Sequence, residues 1–177
     1  MKKYGYISVL IVTLAVSAPV FAGQGHDHPS GDHHSATAFD TITKHYEAIY
    51  ESLVADSIEG IPTHAQAIAT ASQAVSEEFS ARTAGVSQAN ADQCRKILPE
   101  ISSAATALAA AKDIKSARDA FGDLSRPLVQ YREMVNGEKP KVAYCPMAKK
   151  PWLQEGSEIG NPYYGSSMLR CGSIVSE

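Results

Sequence analysis

The sequence predicts an all-α protein: an antiparallel four-helix bundle followed by an irregular C-terminal Cys/Met tail that has room for short β-strands. Three observations carry this expectation. Apolar residues between Phe39 and Val135 recur at steps of three and four, the spacing of one helical face. Alanine is abundant and aromatics make up only 7% of the chain, which suits helices packed closely through small side chains. Helical periodicity then stops at Pro140, where Pro146, Pro151 and Pro162 alternate with Gly156, Gly160, Gly165 and Gly172.

The N-terminus reads as a signal peptide over residues 1–22. Lys2 and Lys3 precede an apolar run from Tyr4 to about Ala18, Pro19 breaks it, and Val20-Phe21-Ala22 offers a cleavage point. The run is shorter than the roughly 20 residues that span a bilayer. The expected product is therefore exported to the periplasm without membrane insertion. Its removal takes two lysines and no acid, so the formal charge moves from −3 to −5. A mildly acidic product has no electrostatic footprint for nucleic acid.

Residues 23–36 hold almost nothing apolar and include His26, His28, His33 and His34. Such a segment buries too little surface to offset its ordering entropy, so it reads as a disordered His-rich arm. Imidazoles there can collect Cu(II), Zn(II) or Ni(II) weakly.

The helical region is set at residues 37–137. Its first stripe is Phe39, Ile42, Tyr46, Ile49 and Leu53. The second runs through Ile61, His64, Ile68, Ala71, Val75 and Phe79, with Pro62 placed for a first turn. The third joins Cys94, Ile97, Ile101, Ala104, Leu108 and Ala111. The fourth joins Ile114, Ala117, Phe121, Leu124, Leu128, Tyr131 and Val135, with Asn136-Gly137 as its stop. Pro99 and Pro127 fall inside the last two segments, where each removes a backbone hydrogen bond and is expected to kink or restart its helix. Short connections between these segments imply antiparallel neighbours.

The tail, residues 138–177, places Val142-Ala143-Tyr144 and Ser173-Ile174-Val175 as short strands and Asn161 to Gly165 as turns. Sulfur residues pair at its two ends: Cys145 with Met147, and Met168 with Cys171. Soft thiolate and thioether ligands select Cu(I), and by extension Ag(I), over hard cations. If the tail folds back through its turns, these four residues form a metal site. Trp152, Tyr163 and Tyr164 would then shield it. Residue chemistry leaves a second reading open, in which Cys145 and Cys171 form a disulfide that staples a poorly packed tail. The oligomeric state is not legible.

The runs Val142 to Ala148, Trp152-Leu153-Gln154, Ile159 to Gly165 and Met168 to Gly172 resemble a domain of unknown function. That domain occurs as small exported proteins and at the C-terminus of CusB-type heavy-metal efflux adaptors. The likeness extends over roughly residues 40–175 and rests on C-P-M-A, N-P-Y-Y-G and M-L-x-C-G. It implies a periplasmic role beside copper or silver export, with an efflux adaptor or pump as partner. Lys149-Lys150-Pro151 departs from the pattern, since relatives carry a longer, glycine-containing stretch before the tryptophan.

Other residues rank lower. His64 sits on an apolar stripe and would reach the tail as a nitrogen ligand only by swinging toward it; Zn(II) held by thiolates and a histidine is the corresponding alternative cofactor. His45 is expected to lie about 10 Å from it along the hairpin, at 1.5 Å per residue. Cys94 reads as a buried thiol acting as a small hydrophobe. Neither H-E-x-x-H, G-x-S-x-G nor a phosphate-cradling loop occurs, so an enzyme is not expected.

Overall fold

Residues 36–177 are described by a computed structural model. The signal-peptide segment and all four arm histidines lie outside those residues.

The chain enters α1 (Ala38–Val54) through a reciprocal cap: Thr37 Oγ1 accepts from the Asp40 N–H, and the Asp40 carboxylate accepts from the Thr37 N–H at 2.7 Å. The first stripe is buried as read, with Phe39, Ile42, Tyr46, Ile49 and Leu53 all facing the core. Side chains of this size contribute about 1.5–3 kcal/mol each on burial. Helix α2 (Ile61–Glu77) starts after Gly60, whose φ of 76° suits glycine, and has Pro62 in its first turn.

The stripe of α2 is rotated from the sequence expectation. Ala65, Ile68, Ala69 and Ser72 are buried, while His64, Ala71 and Val75 are half-buried at the edge. Small residues at 65, 69 and 72 let the neighbouring helix approach the backbone, so the face of closest contact carries few large side chains.

A short helix, α3 (Ala81–Ala84), and a 3-10 turn (Gln88–Asn90) connect α2 to α4 (Ala91–Ala109). After a capped turn at Asp113 comes α5 (Ile114–Met134). Both long helices run on past their prolines without restarting, which corrects the expected restarts. The acceptors orphaned by Pro99 and Pro127 are the carbonyls of Arg95 and Asp123, both exposed residues, so the missing donor leaves no acceptor on a buried residue. Neighbours pack in chain order, α1 on α2, α2 on α4 and α4 on α5.

The tail forms a three-stranded antiparallel sheet. Strand β1 (Lys141–Cys145) is central, flanked by β2 (Lys150–Gln154) and β3 (Ser173–Ser176). The strands expected at 142–144 and 173–175 are present; β2 was not anticipated. The sheet leans on α5 through β2. Tyr46 stitches three elements there. Ser125 Oγ donates to the Phe121 carbonyl, so the Tyr46 hydroxyl donates to Ser125 Oγ at 2.7 Å and accepts the Leu153 N–H at 3.2 Å. One hydrophobic core runs from Phe39 on α1 to Trp152, Leu153 and Tyr163 in the tail.

Arg118 on α5 ties the tail to the first hairpin. Its guanidinium donates to the Leu53 carbonyl, the Pro162 carbonyl and the Asp56 carboxylate. Asp56 in turn accepts from the Ser166 N–H at 3.1 Å. Bonds to Ser166, and then the Arg118 guanidinium, hold its carboxyl at about 2, below the usual carboxylate range.

Candidate metal centre

Cys145 is the last residue of the central strand, and its side chain is fully buried. The chain turns at once: the Lys149 N–H returns to the Cys145 carbonyl at 2.8 Å, with Lys149 in the left-handed region. The turn aims the Ala148 N–H at Cys145 Sγ, 3.3 Å away. Cys171 follows the 3-10 turn Gly165–Met168, its N–H bonded to the Met168 carbonyl at 2.9 Å. It is half-buried. Twenty-six residues apart in sequence, the two sulfurs stand 3.9 Å from each other, and neither is in a disulfide.

Asn161 organises this meeting. It is fully buried, and its Nδ2 donates to Cys145 Sγ at 3.2 Å and to the Cys171 carbonyl. Its Oδ1 accepts the N–H groups of Tyr163 and Tyr164, holding the N-P-Y-Y-G turn. Two N–H donors, from Ala148 and from the Asn161 amide, thus converge on Cys145 Sγ. Desolvation and then the neighbouring Cys145 sulfur raise the Cys171 thiol above its ordinary range, while the Met147 N–H acts the other way. Two thiolates side by side repel, and a cation between them relieves that repulsion.

The separation suits a shared ion. Sulfur ligands at about 2.3 Å from one metal stand roughly 3.8 Å apart at a tetrahedral angle and about 4.0 Å apart at a trigonal one.

The methionines are less enclosed. Met147 is 62% exposed, and Met168 is half-buried. Met168 touches the site through its backbone carbonyl, which accepts the Cys171 N–H. Among the described residues no group of three or more His, Cys, Asp and Glu side chains gathers. A closed site at the cysteines therefore needs thioether donors or an incoming ligand. Trp152 is fully buried, its ring lying over Gly172, where a Cβ would come within 2.6 Å of it. A groove of about 470 Å³, lined by Met147, Ala148, Tyr163 and Tyr164 together with α5 residues, opens beside the turn.

His64 does not reach toward the tail. Its Nδ1 faces His45 Nδ1 at 3.0 Å, which overturns the expected 10 Å offset. The connection after α1 folds back: Ser52 Oγ donates to the Glu59 carbonyl, placing residue 59 level with 52. On that register His64 lies level with residue 47, about 3 Å along the axis from His45. Burial, then His64 and Lys44, lower the pKa of His45. Cys94 is fully buried in α4, and desolvation pushes its thiol up to about 11.

A family described as protein of unknown function (DUF3347) matches residues 42–139, more than half of the chain. The chain belongs to this family. The match to DUF3347 runs from α1 through the end of α5. The Cys145 to Gly172 motifs lie beyond its last matched residue. No curated protein and no solved structure matches the chain.

Sequence reasoning singled out Cys145 and Cys171 but missed Asn161 as their organiser. The signal was available: an asparagine immediately before Pro162, in a turn between the two sulfur residues, is placed to bond backbone on both sides.

Proposed function

We propose that this is a non-enzymatic, periplasmic soft-metal protein that buffers Cu(I) or Ag(I) or delivers it within copper or silver efflux. Cys145 and Cys171 are the anionic ligands, and Met147 and Met168 supply neutral sulfur. The observation that supports this reading best is the sulfur pair, 3.9 Å apart with N–H groups from Ala148 and Asn161 turned toward Cys145. The exposed Met147 thioether at the groove is suited to catching an ion from solution or from a partner, an efflux adaptor or pump. The four long helices form an up-and-down bundle that serves as the rigid base for the tail.

Zn(II) on the two thiolates is the harder alternative, and it would not depend on the methionines. The other reading, a metal-free module stapled by a Cys145–Cys171 disulfide and docking on an efflux adaptor or another envelope protein, draws on the same proximity. Competition for Cu(I) against a chromophoric chelator, on full-length protein kept anaerobic, separates them. One Cu(I) per chain is expected, with Cys145→Ser or Cys171→Ser weakening it at least about 100-fold and Met147→Ala about tenfold, near 1.4 kcal/mol. A disulfide in all protein isolated from the periplasm, or unchanged Cu(I) affinity in both serine variants, overturns the proposal.

A further inference from the structure

A second cluster of metal-binding chemistry lies away from the sulfur pair, on the α1–α2 hairpin. His45 and His64 present their Nδ1 atoms to each other at 3.0 Å, with ring centroids 5.3 Å apart and planes inclined at 41°. Two imidazole nitrogens bound to one ion at about 2.0–2.1 Å stand roughly 2.9–3.4 Å apart, between right-angled and tetrahedral geometry. The observed gap falls in that interval. We propose that His45 and His64 form a second site, a two-imidazole chelate for a borderline divalent cation such as Zn(II), with water or an incoming ligand in the remaining positions.

Both histidines stand on rigid elements. The hairpin is locked by the Ser57 N–H to the Ser52 carbonyl at 2.8 Å and by Ser52 Oγ to the Glu59 carbonyl at 3.2 Å. Each ring is half-buried, so an ion has access while the side chains keep few alternative rotamers. Without an ion, one Nδ1–H donates to the other Nδ1, which fixes one proton between two lone pairs. A divalent cation displaces that proton to the donor ring's own Nε2, so that both rings bind through neutral Nδ1 lone pairs. Imidazole donors select Zn(II), Cu(II) or Ni(II), in contrast to the soft set proposed at the cysteines.

The test is a Zn(II) titration of the full-length protein, following the ring nitrogens of each histidine by long-range 1H–15N spectra. The Nδ1 signals of His45 and His64 are expected to move together and saturate at the same Zn(II) equivalent. In His45→Gln the His64 response should need at least about tenfold more Zn(II), and the reverse should hold in His64→Gln. The response should persist in a Cys145→Ser/Cys171→Ser variant, which separates this site from the sulfur pair. Static Nδ1 signals while Zn(II) occupies other histidines, or an unchanged His64 response in His45→Gln, would refute the chelate. The wild-type spectra decide the matter even if a variant folds poorly.

Discussion

Asn161→Ala is the substitution with the most at stake for the tail. The side chain is fully buried and serves four partners: the Tyr163 and Tyr164 N–H groups, the Cys171 carbonyl and Cys145 Sγ. Cys145 Sγ keeps the Ala148 N–H and Tyr164 is partly wetted, so the heaviest losses fall on the Tyr163 N–H and the Cys171 carbonyl. Orphaning a buried polar group costs about 1–3 kcal/mol, and the half-buried Cys171 carbonyl only about 1 kcal/mol of that range, so the pair should cost about 2–4 kcal/mol. At about 3 °C per kcal/mol for a domain of this size, Tm should fall by about 6–12 °C in thermal unfolding followed by far-UV circular dichroism. Asn161→Asp is the informative companion. It keeps the acceptor for Tyr163 and Tyr164 but sets a carboxylate against two sulfurs, so it should weaken metal binding more than it lowers Tm. A fall of under about 3 °C for Asn161→Ala would mean that the turn holds without this side chain, and the organising role assigned to it would be wrong.

Asp56 gives a pH signature. Its folded-state carboxyl lies at about 2, below the ordinary value of 3.8, so its contribution is complete above about pH 4 and lost as pH falls toward 2. Acid titrations of wild type and Asp56→Asn should therefore separate above that window and converge below it. Thiol labelling of the reduced, metal-free protein should follow exposure: Cys171 first, Cys145 later, and Cys94 only on unfolding. Early labelling of Cys94, checked by peptide mass, would contradict its burial in α4.

The sequence made some of this plain and hid the rest for identifiable reasons. The stripes of α1 and α5 are legible because large apolar residues mark the buried face without competition; Phe39 to Leu53 and Phe121 to Tyr131 lie where the periodicity puts them. On α2, Ile61 and Ile68 are buried as read, but Val75 sits at the margin while Ala65, Ala69 and Ser72 take the face of closest approach, small residues that an apolar stripe passes over. Strand β2 begins Lys150-Pro151, a pair that argues against a strand. Pro151 is tolerated because β2 is an edge strand, and Lys150 folds over to the Asp119 carboxylate. The sequence allowed Cys145 and Cys171 to meet if the tail folded back through the Asn161 to Gly165 turns, without fixing that it does. The His45–His64 contact was not legible, because it depends on how a six-residue connection folds back, which periodicity does not encode.

The separation of the three cysteines also bears on how the chain matures. Cys94 lies among helices whose neighbours are close in sequence, and such local contacts form sooner than the long-range pairing of a sheet end with a late turn. On that order its sulfur would be withdrawn into an apolar shell before the other two meet. In the oxidising compartment proposed for this chain, an odd thiol would invite scrambled cross-links, and early sequestration on a helix interior would protect against them without a catalyst.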